Sequence, residues 1–91
     1  MPLNGGNHTV TAAYAQISTT DDNAYRQLTV QNPNASDGNG MWISFDGAVD
    51  MGYIPPDRAW TWGPNAGTIK PTEIWIRGTA DELAYFNGVR A

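Results

Sequence analysis

Ninety-one residues without a cysteine leave room for one small core and exclude both a disulfide framework and a thiolate metal site. Nine acidic against five basic side chains give a formal charge of -4, and Arg26, Arg58, Lys70, Arg77 and Arg90 are scattered, which excludes the basic patch that nucleic acid requires. No stretch reaches membrane-spanning length and no signal peptide opens the sequence, so the expectation is a soluble chain folded in a reducing cytoplasm, with no membrane partner.

Residues 1–7, rich in Asn and Gly, disfavour regular structure and predict a flexible N-terminal arm preceding a single β-domain over 8–91. From His8 to Ile17 the Thr, Val and Tyr content predicts a first strand with Val10, Ala12 and Tyr14 on one face. A polar connection carrying Asp21 and Asp22 leads to a second strand, Tyr25 to Gln31, with Leu28 and Val30 inward and Gln27, Thr29 and Gln31 outward. Asn32 to Gly40 (NPNASDGNG) is a turn-forming loop.

Met41 to Phe45 is the third strand, with Met41, Ile43 and Phe45 on the inner side and Trp42 opposed to them. Asp46-Gly47 turns the chain into a strand over Ala48 to Ile54. Pro55-Pro56-Asp57 then turns it into Arg58 to Trp62. After the loop Gly63 to Gly67, a strand from Glu73 to Arg77 sets Ile74 and Ile76 against Trp75. The last strand covers Leu83 to Val89, in preference to a short helix over Thr79 to Asn87. About seven short strands bounded by turn residues predict an all-β fold, a small antiparallel sandwich or barrel.

Chemistry-bearing residues are sparse. His8 is the only histidine, and without cysteines it assembles no transition-metal site of the usual kind. No serine lies in a Gly-x-Ser-x-Gly elbow, and no pair of carboxylates stands out. The spaced oxygens Asn32, Asn34, Ser36 and Asp37 fail the calcium-loop pattern, because Gly38 falls one place late and Ile43 stands where Glu is needed. The expectation is a non-enzymatic protein with no cofactor and no metal.

The unusual resource is aromatic: Trp42, Trp60, Trp62 and Trp75 in so short a chain place large apolar groups on both faces of the sheets. Tyr53, Trp60 and Trp62 flank the Pro55-Pro56 turn and are expected together at one end. Tryptophan and tyrosine dominate binding hot spots, so Tyr53, Trp60, Trp62 and Trp75 are candidate partner-binding residues, with Met1, Pro2, Leu3 and Asn4 of the arm. A second reading makes the aromatics stacking platforms for a glycan, with Asp46, Asp57 and Asn65 bonding its hydroxyls.

The succession LTVQN, a Gly-rich loop, WISFDG, IPPDRAWTW and IWIRGTADE resembles the small all-β structural proteins of tailed bacteriophages, over about residues 8–90. The tryptophan load and PPDR in place of PPG depart from their commonest pattern. Within that group it is similar to head decoration, or cement, proteins. The resemblance implies a virion subunit made in the bacterial cytoplasm and bound, as a dimer or trimer, to the major capsid protein on the outer surface of the capsid. The arm would order against a neighbour, and the glycan reading would place the chain in a head fibre, neck or tail.

Overall fold

The computed structural model describes residues 4–63 and 65–91. Two four-stranded antiparallel sheets face each other across one apolar core. The strands are β1 (Asn4–Thr9), β2 (Ala15–Gln16), β3 (Tyr25–Asn32), β4 (Met41–Ser44), β5 (Gly52–Ile54), β6 (Arg58–Trp62), β7 (Trp75–Arg77) and β8 (Leu83–Arg90). The first sheet runs β1-β8-β3-β6 and the second β2-β7-β4-β5. The expected all-β sandwich is present.

Period-two alternation builds the core. Leu28 and Val30 of β3, Met41 and Ile43 of β4, Ile54 of β5, Ile76 of β7, and Ala84 and Phe86 of β8 are buried between the sheets, with Val10, Ile17, Tyr25, Ile69 and Ile74 completing the cluster. Tyr25 is wholly buried, and its hydroxyl donates to Asp21 Oδ2 at 2.6 Å, so the ring is enclosed while its polar tip stays bonded.

Several boundaries differ from the sequence expectation. Asn4 to Asn7, expected in a flexible arm, form most of β1 and pair with Gly88 to Tyr85. Backbone bonds to β8 prevail there over the poor strand propensity of Asn and Gly. Met1, Pro2 and Leu3 lie outside the described residues. The strand expected over His8 to Ile17 is broken: Val10 donates to the Glu82 carbonyl and accepts from Asp81 as the chain leaves the first sheet, and β2 belongs to the second. Val10 is therefore buried while Ala12 is exposed.

Asp46 shortens the strand expected over Ala48 to Ile54. Its Oδ1 accepts the N–H groups of Ala48 and Val49 at 2.9 and 3.0 Å, holding that segment as a turn, and strand geometry resumes at Gly52. Glu73 likewise lies in a 3-10 turn (Pro71–Glu73), where its Oε1 accepts the Lys70 N–H at 2.9 Å and delays β7 to Trp75.

Candidate interaction surface

The outer face of the second sheet carries the densest group of exposed aromatic side chains. Strand register explains it. Trp42 lies opposite Tyr53 on one side and Arg77 on the other, and all three turn away from the core because Met41, Ile43, Ile54 and Ile76 turn into it. Trp42 and Tyr53 remain 37% and 49% exposed, with ring centroids 4.8 Å apart and planes tilted by 54°. Gly40 lets Tyr53 lie flat, because a Cβ there would fall 2.0 Å from the Tyr53 hydroxyl oxygen.

Arg77 sits between two rings. Its guanidinium carbon is 5.4 Å from the Trp42 centroid and 5.6 Å from that of Tyr14. Asp50 grips it from the loop between β4 and β5, accepting Nε at 3.0 Å and Nη2 at 2.7 Å. The Tyr14 hydroxyl donates to the same carboxylate. A planar fork bonded at both prongs and held by aromatic groups has few rotamers left, so this strip is ordered in the chain by itself. Val49 and Met51, which flank Asp50 in that loop, are 57% and 51% exposed.

Trp75 shares this outer face but is half-buried. It pairs in register with Ser44 and Gln16. Gly47, at φ +77, passes so close that a Cβ would lie 3.1 Å from Nε1 of its indole. Ser44 and Asp46 hold that turn, with the Ser44 hydroxyl donating to Asp46 Oδ1 at 2.8 Å and accepting the Gly47 N–H at 3.1 Å.

Trp60 and Trp62 stand elsewhere. They lie opposite Val30 and Leu28 and turn the same way, so they are half-buried against the core at the free edge of β6. Phe45 meets them at 5.6 and 5.8 Å, and the Trp62 Nε1–H donates to the Gly67 carbonyl at 3.0 Å. The expected grouping of Tyr53 with Trp60 and Trp62 is corrected: Tyr53 stacks on Trp42, while the other two cover the sandwich edge.

Of the sequence-stated candidates, Tyr53 and Trp75 share the exposed face, Asn4 enters β1 at the far edge of the other sheet, and Met1 to Leu3 lie outside the described residues. No sequence pattern marks Trp42, Arg77, Tyr14 and Asp50 as a group. Alternation places Trp42 outward, but the loop that delivers Asp50 leaves no periodic signal. Asp46, Asp57 and Asn65, candidates for bonding a glycan, do not join the group. Asp46 is committed to its turn, and Asp57 forms the turn into β6 at φ 61.

Hydrogen bonds from Arg77 and then from Tyr14 hold the Asp50 carboxyl below its ordinary pKa of 3.8. A depressed carboxylate favours the folded arrangement above the unfolded pKa and loses that contribution as pH falls through the folded one. Trp42 emission should therefore stay constant on acidification through the ordinary carboxylate range and change only below it, while Asp50→Asn should show the altered emission at every pH. A wild-type transition at the ordinary carboxylate pKa would contradict the clamp.

Among the described residues, no helix is long and apolar enough to cross a membrane and no group of three His, Asp or Glu side chains converges as a metal site. No family model, curated protein or solved structure matches the chain.

Proposed function

We propose that this chain is a non-enzymatic structural protein of a tailed-phage virion, a decoration subunit that docks on the major capsid protein lattice and reinforces the head. The observation that carries the reading is the exposed, preorganised strip of Trp42, Tyr53 and Arg77. Aromatic residues, methionine and arginine are the types enriched at protein interfaces, and an Arg already neutralised by Asp50 brings no unpaired charge into the contact. The motif resemblance supplies the virion, and the face supplies the means of attachment.

Co-sedimentation with capsids stripped of this protein tests the proposal. The chain should bind saturably at a fixed ratio to the major capsid protein, and Trp42→Ala should weaken binding by about 30-fold, the scale of a hot-spot residue. Absence of saturable binding, or a Trp42→Ala variant that binds as well as wild type, would overturn it.

One feature favours a second reading. Trp42 and Tyr53 beside the Arg77–Asp50 pair combine ring faces with polar atoms, as a sugar-binding surface requires. A soluble glycan that shifts tryptophan fluorescence, lost in Trp42→Ala, would move the assignment to a receptor-binding module in a head fibre, neck or tail.

A further inference from the structure

Among the described residues, the free edge of β1 is unusual in being undefended. Edge strands are normally shortened, charged or interrupted by proline, because their unpaired N–H and C=O groups invite another strand. Three of the four edges follow that rule. β2 has two residues, β5 has three and runs into Pro55-Pro56, and β6 opens on the charged Arg58 directly after that proline pair. β1 is six residues long and reads Asn-Gly-Gly-Asn-His-Thr, with no charge and no proline.

Beside it the sandwich is open. A cleft of roughly 560 Å³ separates β1 from β2, lined by Gly6, His8, Ala15, Ile17 and Phe86 among others. Gly6 turns inward with His8 and Val10, and its missing side chain leaves the Phe86 ring facing the gap, where a Cβ would stand 3.2 Å from it. His8 Nε2 is buried there with no hydrogen-bond partner. Free ladder groups on the edge thus stand beside a cleft that holds the edge of the buried Phe86 ring and an unpartnered ring nitrogen.

We propose that β1 is a self-association edge, where the β1 strands of two copies pair antiparallel across a two-fold axis and join their first sheets into one eight-stranded sheet. The argument for a second copy over a different protein rests on what the edge presents. Two chains each of net charge -4 meet here at an uncharged seam. A two-fold satisfies both free edges at once, each strand supplying what the other lacks. The outward positions Gly5, Asn7 and Thr9 offer no charged or aromatic group by which another protein would be chosen. Strand addition also roofs the cleft with the inward side chains of the incoming strand. This inference is independent of what docks on the outer face of the second sheet.

Sedimentation equilibrium of the full chain over a wide concentration range tests it. The expected mass at high concentration is twice 9.9 kDa. Val10 N–H bonds to the Glu82 carbonyl one step beyond the last ladder pair, Thr9 with Leu83, so alternation back along β1 turns the N–H of Asn7 toward the free edge. Asn7→Pro therefore removes one outward donor without touching β8, and Asn7→Lys sets like charges across the seam. Each should raise the dimer dissociation constant about tenfold or more, one lost contact of ordinary size, while the far-ultraviolet spectrum is unchanged. Should Asn7→Pro fail to fold, Asn7→Lys carries the test. A chain monomeric throughout, a dimer that neither variant weakens, or a dimer broken instead by Trp42→Ala would overturn the proposal. So would a monomer whose β1 amides gain exchange protection only on capsids, which would make the occupant a capsid strand.

Discussion

Asn32→Leu should destabilise the fold by about 2 to 3 kcal/mol, because it strips partners from buried polar backbone while leaving the volume nearly unchanged. Asn32 is wholly buried at the end of β3. Its amide nitrogen donates to the Ile54 carbonyl at 3.2 Å and to the Asn39 carbonyl at 3.0 Å, and its oxygen accepts the Asn34 N–H at 3.1 Å. One side chain thereby fastens the first sheet to β5 of the second and closes the loop between β3 and β4. Apolar leucine offers none of these bonds, and a buried group left unpaired loses its hydration without replacement. For a domain of this size the loss corresponds to about 15 °C in Tm. Asn34→Ala is the control, since its amide bonds lie nearer the surface and a change within about 0.5 kcal/mol is expected. Equal melting temperatures for Asn32→Leu and wild type would show that the bridge is dispensable.

The second large effect is expected at Gly88. A Cβ there would fall 2.1 Å from the Gln27 carbonyl oxygen and 3.0 Å from both the Leu28 Cα and the Tyr25 ring. Two of those three atoms belong to the backbone, so no rotamer change relieves the clash. Gly88 lies opposite Asn4 on one side and Leu28 on the other, in the strand that joins β1 to β3. The register slip between Tyr25 and Gln27 brings β3 this close, and the Tyr25 ring covers the space that the glycine leaves. Gly88→Ala should cost about 3 kcal/mol, the upper end of overpacking, and amide exchange should quicken first in β1 and β8. An alanine variant as stable as wild type, with unchanged exchange, would mean that the two strands separate freely.

These two residues also show what the sequence conveys. Leu28, Val30, Met41, Ile43, Ile74 and Ile76 announce the core through alternation, because a half-buried strand imposes that period on any chain. Trp42 and Trp75 are placed outward by the same rule. The role of Asn32 is hidden, because in sequence it reads as the first residue of a turn-rich loop, and only the folded chain encloses it. The first half of β1 is hidden for a related reason: Asn4 to Asn7 are held by what pairs with them rather than by their own preferences. In the candidate site the aromatic half was legible and the ionic half was not, since Asp50 and Arg77 meet across 27 residues through a turn built by Asp46. The separation of Trp60 and Trp62 from Tyr53 is hidden as well, because a short turn between two strands does not say which way each strand faces.

The pairing of β1 with β8 also has a temporal side. Asn4 lies opposite Gly88, so every strand between them must emerge from the ribosome before β1 finds its neighbour. β3 is in the same position toward β8, and only β4 and β5 pair with an immediate successor in sequence. Closing such long loops costs entropy before any contact offsets it, which makes folding slow for a chain this small. The hairpin of β4 and β5 can form early, whereas the first sheet assembles only once β8 is available to join β1 and β3.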